Sequence, residues 1–275
     1  MNISAPASFI KMEHLSIEFP VFQLESRSLK KTLFSNVKKM MNNPQRHHQR
    51  TGAEIVTTAN NDVVVQALRD INLTIQSGER VGLIGHNGAG KSTLLRAITG
   101  IYEPNSGHIQ SHGHIEALLS TNAGMNPLLS GRENIYLRGK RLGLSQKKIQ
   151  ELAKDVEAFA ELNEFIELPI KIYSSGMLMR LGFGLSTSIV PNILLMDEWF
   201  MAGDSNFQEK ARNRLVSIVD KADILVLTTH SLSILQQWCN RLIWLKAGQI
   251  IADGPTDIIL DQYKRAMTTD SGAQN

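Results

Sequence analysis

The eight residues Gly85, His86, Asn87, Gly88, Ala89, Gly90, Lys91 and Ser92, followed by Thr93, constrain this chain more than any others. They fit the pattern G-x-x-x-x-G-K-[ST], and they stand between an apolar run, VGLI, and a run of helix formers, TLLRAIT. A strand, a glycine-rich turn and a helix in that order make a cradle for phosphate. Glycines let successive backbone N–H groups turn inward on phosphate oxygens, and the helix that follows presents the positive end of its dipole. Lys91 can then reach the β and γ phosphates, and Ser92 can offer its hydroxyl to Mg²⁺. Such a loop demands an α/β fold.

Three further segments carry chemistry. Ile193-Leu-Leu-Met is an apolar strand ending in Asp197 and Glu198, which places two carboxylates at the carboxyl edge of a sheet, where ligands bind in open α/β folds. Asp197 is placed to hold Mg²⁺ through water and Glu198 to polarise an attacking water. The strand DILVLTT ends the same way and is followed by His230. Tyr173-Ser174-Ser175-Gly176-Met177 is a small-residue turn opening a helix, with N–H groups and a hydroxyl that an anion could use.

Around these segments the chain alternates. FIKMEHLSIEF reads as a strand. VVVQALRDINLTIQSGERVGLIG reads as three short strands with a turn at Ser77 and Gly78, and a helix from about Gly90 to Thr99 stops at Gly100. HIQSHGHIEALL reads as a hairpin. It carries His108, His112 and His114 with no acid or cysteine at ligand spacing, which argues against a metal site. Ser130 to Val190 is helical, with Ile149, Leu152, Val156 and Phe159 at helical spacing. NILLM and DILVLTT are the short apolar runs of a buried parallel sheet, NFQEKARNRLVSIVD between them is a helix, and RLIWLKAGQIIADG is a hairpin turning at Ala247 and Gly248.

Composition excludes several classes. With 42% hydrophobic and 20% charged residues the chain is not mainly disordered, and its single cysteine, Cys239, excludes a disulfide scaffold and fits a reducing setting. No apolar run approaches the roughly 18 residues of a membrane-spanning helix. The start, MNISAPASFIKMEH, lacks the basic-then-apolar form of a secretory signal. A net charge of +3 gives no case for nucleic acid. Locally, though, Glu25 to Arg50 holds seven Lys or Arg against one acid, and QRHHQRTGAE closes that stretch as a mobile loop.

Phosphate loop, helical stretch, Ser-Gly turn, acid pair and final histidine resemble, in order and spacing, the ATPase subunits of ABC transporters over nearly the whole chain. The resemblance implies a P-loop NTPase of the ABC ATPase type, with a RecA-like core, an antiparallel β subdomain and a helical subdomain insert. It implies one ABC ATPase domain over 1–275, with a basic insertion at 25–62, the helical subdomain at about 130–190 and a C-terminal helix and tail at about 255–275. YSSGM corresponds to the family's LSGGQ: Ser174 and Gly176 are kept, Ser175 replaces a Gly and Met177 replaces the Gln. Met201-Ala-Gly-Asp204 resembles the D-loop, with Asp204 keeping the acid. Phe19 falls where an aromatic ring stacks on adenine, with Phe22 as the alternative. Glu198 is then the general base, and His230 orients the γ-phosphate and water. One family feature is missing: LLSTNAGMNPLLSGREN has no Gln where one is usual, Thr121 being nearest, between Ser120 and Asn122. Trp199, after Glu198, is also unusual, either shielding that carboxylate or packing.

In this family the signature turn faces the nucleotide of a second subunit. One copy of each motif therefore implies a head-to-tail homodimer around two ATP, with Mg²⁺, acting on an integral membrane permease in two copies. NAGMNPLLSGRENI, YSSGM followed by RLGFGLS, and the early FPVF and RSLK segments look like the bacterial polysaccharide exporters, which move O-antigen, capsule or teichoic acid chains on lipid carriers. The O-antigen type is nearest, which implies a lipid-linked glycan as cargo and a peripheral place on the cytoplasmic face of the inner membrane. The carbohydrate-binding C-terminal domain of some members is expected to be absent. The competing reading, a soluble ABC ATPase of translation or DNA repair, would carry two ATPase halves or a long coiled coil. A binding module without hydrolysis is opposed by Lys91, Asp197, Glu198 and His230. Leu29, Leu33, Val37 and Met40, flanked by Lys30, Lys31, Lys38 and Lys39, recur at helical spacing as an amphipathic helix for a membrane or the permease, or as a solvated basic helix.

Overall fold

The computed structural model describes residues 6–20, 54–57, 63–119, 124–197 and 205–272. The expectations for the basic helix, Phe22, Ser120, Thr121, Asn122, Glu198, Trp199 and Asp204 lie outside these residues. In chain order the strands are β1 (Phe9–Pro20), β2 (Glu54–Thr57), β3 (Val63–Gln76), β4 (Arg80–Ile84), β5 (Ser106–His112), β6 (Ile115–Leu118), β7 (Ile193–Asp197), β8 (Ile224–Thr228), β9 (Arg241–Lys246) and β10 (Gln249–Pro255). The helices are α1 (Lys91–Ile98), α2 (Gly131–Arg141), α3 (Gln146–Ala160), α4 (Ser175–Ser186), α5 (Ser205–Lys221), α6 (Leu232–Trp238) and α7 (Thr256–Gly272), with 3-10 turns at Asn163–Glu167 and Ile170–Ile172. They form two compact units, one drawn mainly from His112–Thr229, the other from Ile10–Ile75, Val81–Ser111 and the chain after Thr229.

The second unit holds the phosphate loop. Its four-stranded sheet runs β2-β3-β1-β5. β2 pairs antiparallel with β3, from Glu54↔Gln66 to Thr57↔Val63. This strand lies inside the region expected as insertion, and Glu54, expected in a mobile loop, opens it. Val63–Ile84 forms two strands rather than the expected three. β3 runs unbroken through Asp70, whose φ of 48° a short polar side chain tolerates. Beyond Asp70 the strand alternates with period two: Ile71, Leu73 and Ile75 are buried, and Asn72, Thr74 and Gln76 are exposed. Elsewhere in this unit β4 pairs in parallel with β9, from Val81↔Arg241 to Ile84↔Trp244. β9 turns back into β10 through Ala247 (φ 48°) and Gly248 (φ 76°), the pair of positive φ values that a two-residue hairpin of this hand requires.

The first unit holds the parallel strands β6, β7 and β8, paired from Ile115↔Ile193 to Leu118↔Met196 and from Ile193↔Ile224 to Asp197↔Thr228. β5 and β6 do not form the expected hairpin: β5 joins β1, and β6 pairs with β7. Acids reach two of the three histidines. His108 Nε2 lies 2.7 Å from Glu13 Oε2, and His114 Nε2 lies 3.9 Å from Glu116 Oε2. No group of three His, Cys, Asp or Glu able to hold a metal occurs among the described residues.

The helical stretch follows its sequence pattern. Ile149, Leu152, Val156 and Phe159 are buried along α3. Leu152 and Val156 join Ile135, Ile166, Ile170, Tyr173, Leu181 and Leu185 in one core. α2 begins with a capping box, Ser130 accepting from the Glu133 amide and Glu133 accepting from the Ser130 amide. Asn134, 2% exposed, pins the preceding loop. Its Oδ1 accepts from the Asn126 amide at 2.7 Å, and its Nδ2 donates toward the carbonyls of Ser130 (2.8 Å), Asn126 (3.1 Å) and Leu129 (3.3 Å). Arg138 joins this helix to β6 through an ion pair with Glu116. Burial pushes the Glu116 carboxyl up although the guanidinium opposes it.

Candidate functional site

The loop between β4 and α1 is shaped by close backbone approach. Gly85 (φ 145°) lies against β9, where a Cβ would stand 2.2 Å from the Leu245 carbonyl oxygen, so only glycine fits. Gly90 caps α1 without a side chain, and the helical ladder starts with Leu94 N donating to Gly90 O at 2.8 Å. Between them, Ala89 N closes a turn on His86 O at 3.1 Å. His86, Asn87 and Gly88 face solvent, while Ala89 and Gly90 are buried. The turn of the last hairpin braces this loop: Gly248 N donates to Ala89 O at 3.1 Å, and Arg69 N donates to Gly248 O at 2.8 Å.

Lys91 is 7% exposed. Its ammonium donates to the carbonyls of Gly85 (2.8 Å) and His86 (3.1 Å), which holds the charge inside the turn where a phosphate would draw it. Ser92 and Thr93 follow, half-buried, in the first turn of α1. In the same unit Phe19 is half-buried near the end of β1, with its ring edge-on to Tyr102 at 5.0 Å. His230 is exposed two residues beyond β8.

The other unit carries Asp197, Ser174 and Gly176. Asp197 ends β7, and its Oδ1 accepts from the hydroxyl of Thr228, its register partner on β8, at 2.6 Å. Thr228 is fully buried, so the hydroxyl fixes that carboxylate from below. Ser174 is the N-cap of α4, its Oγ accepting from Met177 N at 3.3 Å. Ser174 and Ser175 are exposed, and a Cβ on Gly176 would meet nothing nearer than Ser174 Oγ at 4.0 Å. The helix therefore begins on an open surface that another molecule can approach.

Sequence reasoning missed two partners, Thr228 and Tyr102. Thr228 could have been found by aligning the two apolar runs as neighbouring parallel strands, which sets a hydroxyl beside the first acid. Tyr102 has only the signal of an aromatic residue just after the helix-ending Gly100.

A family model described as ABC transporter matches residues 68–201. The chain is 40% identical over 238 residues to the O-antigen export system ATP-binding protein of Yersinia enterocolitica, covering 86% of this chain and 94% of that one. This chain belongs to the ABC transporter ATP-binding family. A second relative, an O-antigen export system ATP-binding protein of Myxococcus xanthus, is 42% identical over 205 residues and covers 74% of this ABC ATPase, which spans only 47% of that relative's length. The fold agrees. A solved ATP-binding cassette, a dimer in a post-hydrolysis state bound to ADP and Pi, superposes with a TM-score of 0.61 at 20% identity, covering 90% of this chain and 98% of that one. The α/β P-loop architecture expected from the sequence is thus the architecture of this ABC ATPase.

Proposed function

We propose that this ABC ATPase hydrolyses ATP to drive export of a lipid-linked bacterial polysaccharide, an O-antigen, across the inner membrane. The likeness to O-antigen export ATP-binding proteins carries the reading. The phosphate loop from Gly85 to Thr93 would hold the ATP phosphates, with Lys91 leaving the loop carbonyls for them and Phe19 offering a ring to adenine. Ser92 and Asp197 each offer a hard oxygen of the kind Mg²⁺ takes, and the Thr228 hydroxyl orients the Asp197 carboxylate, which supports assigning them to the ion. Mg²⁺ bound there supplies neutralisation of charge on the β and γ phosphates. Glu198 takes the proton of the attacking water, and His230 orients water and γ-phosphate.

Two copies would meet head to tail. Ser174 and Gly176 of one would close on the ATP held by the other, with Asp204 at the joint. The open start of α4 supports this, as does the dimeric state of the solved cassette. The homodimer would work beneath two copies of an integral membrane permease, on the cytoplasmic face of the inner membrane. No described helix is long and apolar enough to cross a membrane. Exposed apolar side chains in the helical stretch also suit a permease: Leu128 (70% exposed), Phe165, Leu168 and Ile172 are all large and exposed. The segments bearing them are tied together, Ile170 N donating to Leu129 O at 2.9 Å and Lys171 N to Pro127 O at 3.0 Å.

A strain carrying Lys91→Ala tests the reading. Lipid-linked polymer should accumulate in the cytoplasm and vanish from the cell surface. Normal surface glycan, with a transport defect in some other substrate, would overturn it.

A further inference from the structure

We propose that Tyr173 is a positioning residue for the nucleotide-driven dimer: its hydroxyl locks the signature turn at Ser174 to the segment that carries the exposed Phe165, Leu168 and Ile172. This rests on the reading that Ser174 and Gly176 complete the ATP site of a second copy.

The residue is built in as an anchor. Tyr173 is 7% exposed, whereas Ser174 and Ser175 directly after it are exposed. Its hydroxyl donates to the carbonyl of Phe165 at 2.6 Å, and its amide donates to the carbonyl of Ile170 at 3.1 Å. Burial pushes the phenol up, so it stays a donor across the physiological range. Space is kept for it by Gly131, the first residue of α2, where a Cβ would stand 2.6 Å from the phenolic oxygen. A hydrophobic side chain of similar size could fill the volume but could not hold Phe165.

The connections on either side make the anchor mechanical. The exposed Phe165, Leu168 and Ile172 lie on the strap just before Tyr173, and the strap is stitched to the loop bearing Leu128 through Ile170 and Lys171. On the other side, Tyr173 (φ −69°, ψ 144°) and Ser174 (φ −66°, ψ 162°) are consecutive extended residues leading straight into α4. A displacement of the strap therefore moves the Ser174 cap with it. In a chain that lacks the usual glutamine between Leu118 and Ser130, this is a route joining the strap's exposed apolar residues to the signature turn.

The test separates positioning from stability by comparing two hydroxyls. Thr187, at the far end of α4, donates from its Oγ1 to the Phe183 carbonyl, also at 2.6 Å, and is buried. Tyr173→Phe removes the bond to Phe165 and the one its oxygen accepts from the Gly131 amide, and Thr187→Val removes one buried hydroxyl bond. Both go into a Glu198→Gln chain, whose dimer is trapped before hydrolysis. Dimerisation is followed by sedimentation against MgATP concentration, with monomer nucleotide affinity and Tm measured alongside. Both variants should lower Tm, Tyr173→Phe by the larger amount, and leave monomer affinity alone. Only Tyr173→Phe should raise the ATP midpoint for dimerisation, by about 5–10-fold, the worth of about one buried hydroxyl bond, since the Phe165 carbonyl keeps the Leu168 amide as a donor. Equal midpoint shifts in the two variants, or none in either, would overturn the proposal. Ser174→Arg in the same background identifies a failure of the underlying reading. If that variant dimerises like its parent, the composite site falls and Tyr173's role falls with it. If it does not dimerise while Tyr173→Phe matches Thr187→Val, only the role of Tyr173 falls.

Discussion

Replacing Asn134 offers the sharpest check on how the helical stretch is held. One amide group faces one donor and three carbonyls, but its nitrogen carries two hydrogens, so three hydrogen bonds are the most it can make at once. The bonds to Asn126 N (2.7 Å), Ser130 O (2.8 Å) and Asn126 O (3.1 Å) have the best geometry. At about 1 kcal/mol each, Asn134→Ala removes about 3 kcal/mol, reduced to about 2 where water reaches the exposed Asn126 backbone. Local opening of the 126–130 loop should become roughly 30–150-fold more frequent, at a factor of ten per 1.4 kcal/mol. Asn134→Asp separates acceptor from donor. The carboxylate keeps the Asn126 N–H but turns charged oxygens on three carbonyls, so at neutral pH it should be worse than alanine, at about 4 kcal/mol. A proton restores one donor, which raises the folded pKa of that aspartate above its unfolded value. Its stability should therefore be greatest at low pH and be lost as pH rises through the raised pKa, whereas the alanine variant shows no such limb. Amide hydrogen exchange at 126–130 and 170–171 reads the local effect without assuming that both units unfold together. An aspartate variant as protected as alanine at neutral pH would refute the reasoning.

Two further outcomes are expected. Glu198→Gln should keep MgATP binding and lose about 10²–10⁴-fold in turnover, the usual worth of a general base, and wild-type turnover would remove Glu198 from that role. Asp223 accepts from Ser8 Oγ at 2.7 Å and Asn192 Nδ2 at 2.9 Å, and these bonds hold its carboxyl below the ordinary aspartate range. Its contribution is thus present above that range and lost as pH falls through the lowered folded value. Asp223→Asn should flatten the acid limb of Tm against pH, and an unchanged limb would show that the pair of bonds contributes nothing.

Much of this molecule is legible locally. The phosphate loop announces itself because two glycines, a lysine and a hydroxyl at fixed spacing within eight residues must all serve one anion, and the buried parallel strands because water reaches neither face. α3 is legible because its apolar residues recur every three or four positions over fifteen residues. What escapes is whatever depends on a distant partner. EIVT is β-branched, but four residues become a strand only by pairing with Val63–Gln66, and a basic stretch before them hides the signal. His112, Gly113 and His114 read as a hairpin turn because glycine between polar residues usually is one. Gly113 does take a positive φ of 114°, yet the strands on its two sides pair with β1 and β7. The Asp197–Thr228 bond joins the ends of two strands with all of α5 between them, so no local pattern could announce it. The site is legible as a set of residue types; the hydroxyls and carbonyls that orient them are not.

The brace under the phosphate loop has a consequence for synthesis. Gly85 owes its backbone shape to Leu245, and Ala89 is tied to Gly248, yet both partners leave the ribosome long after the loop itself. Since β4 also waits for β9 as its parallel neighbour, a nascent chain halted before Arg241 would display the full nucleotide motif without Leu245, Gly248 or β9 to brace it. Competence for nucleotide would thus arrive late and together with the final hairpin, so a truncated translation product carries the motif without being able to sequester ATP or compete for a subunit's place.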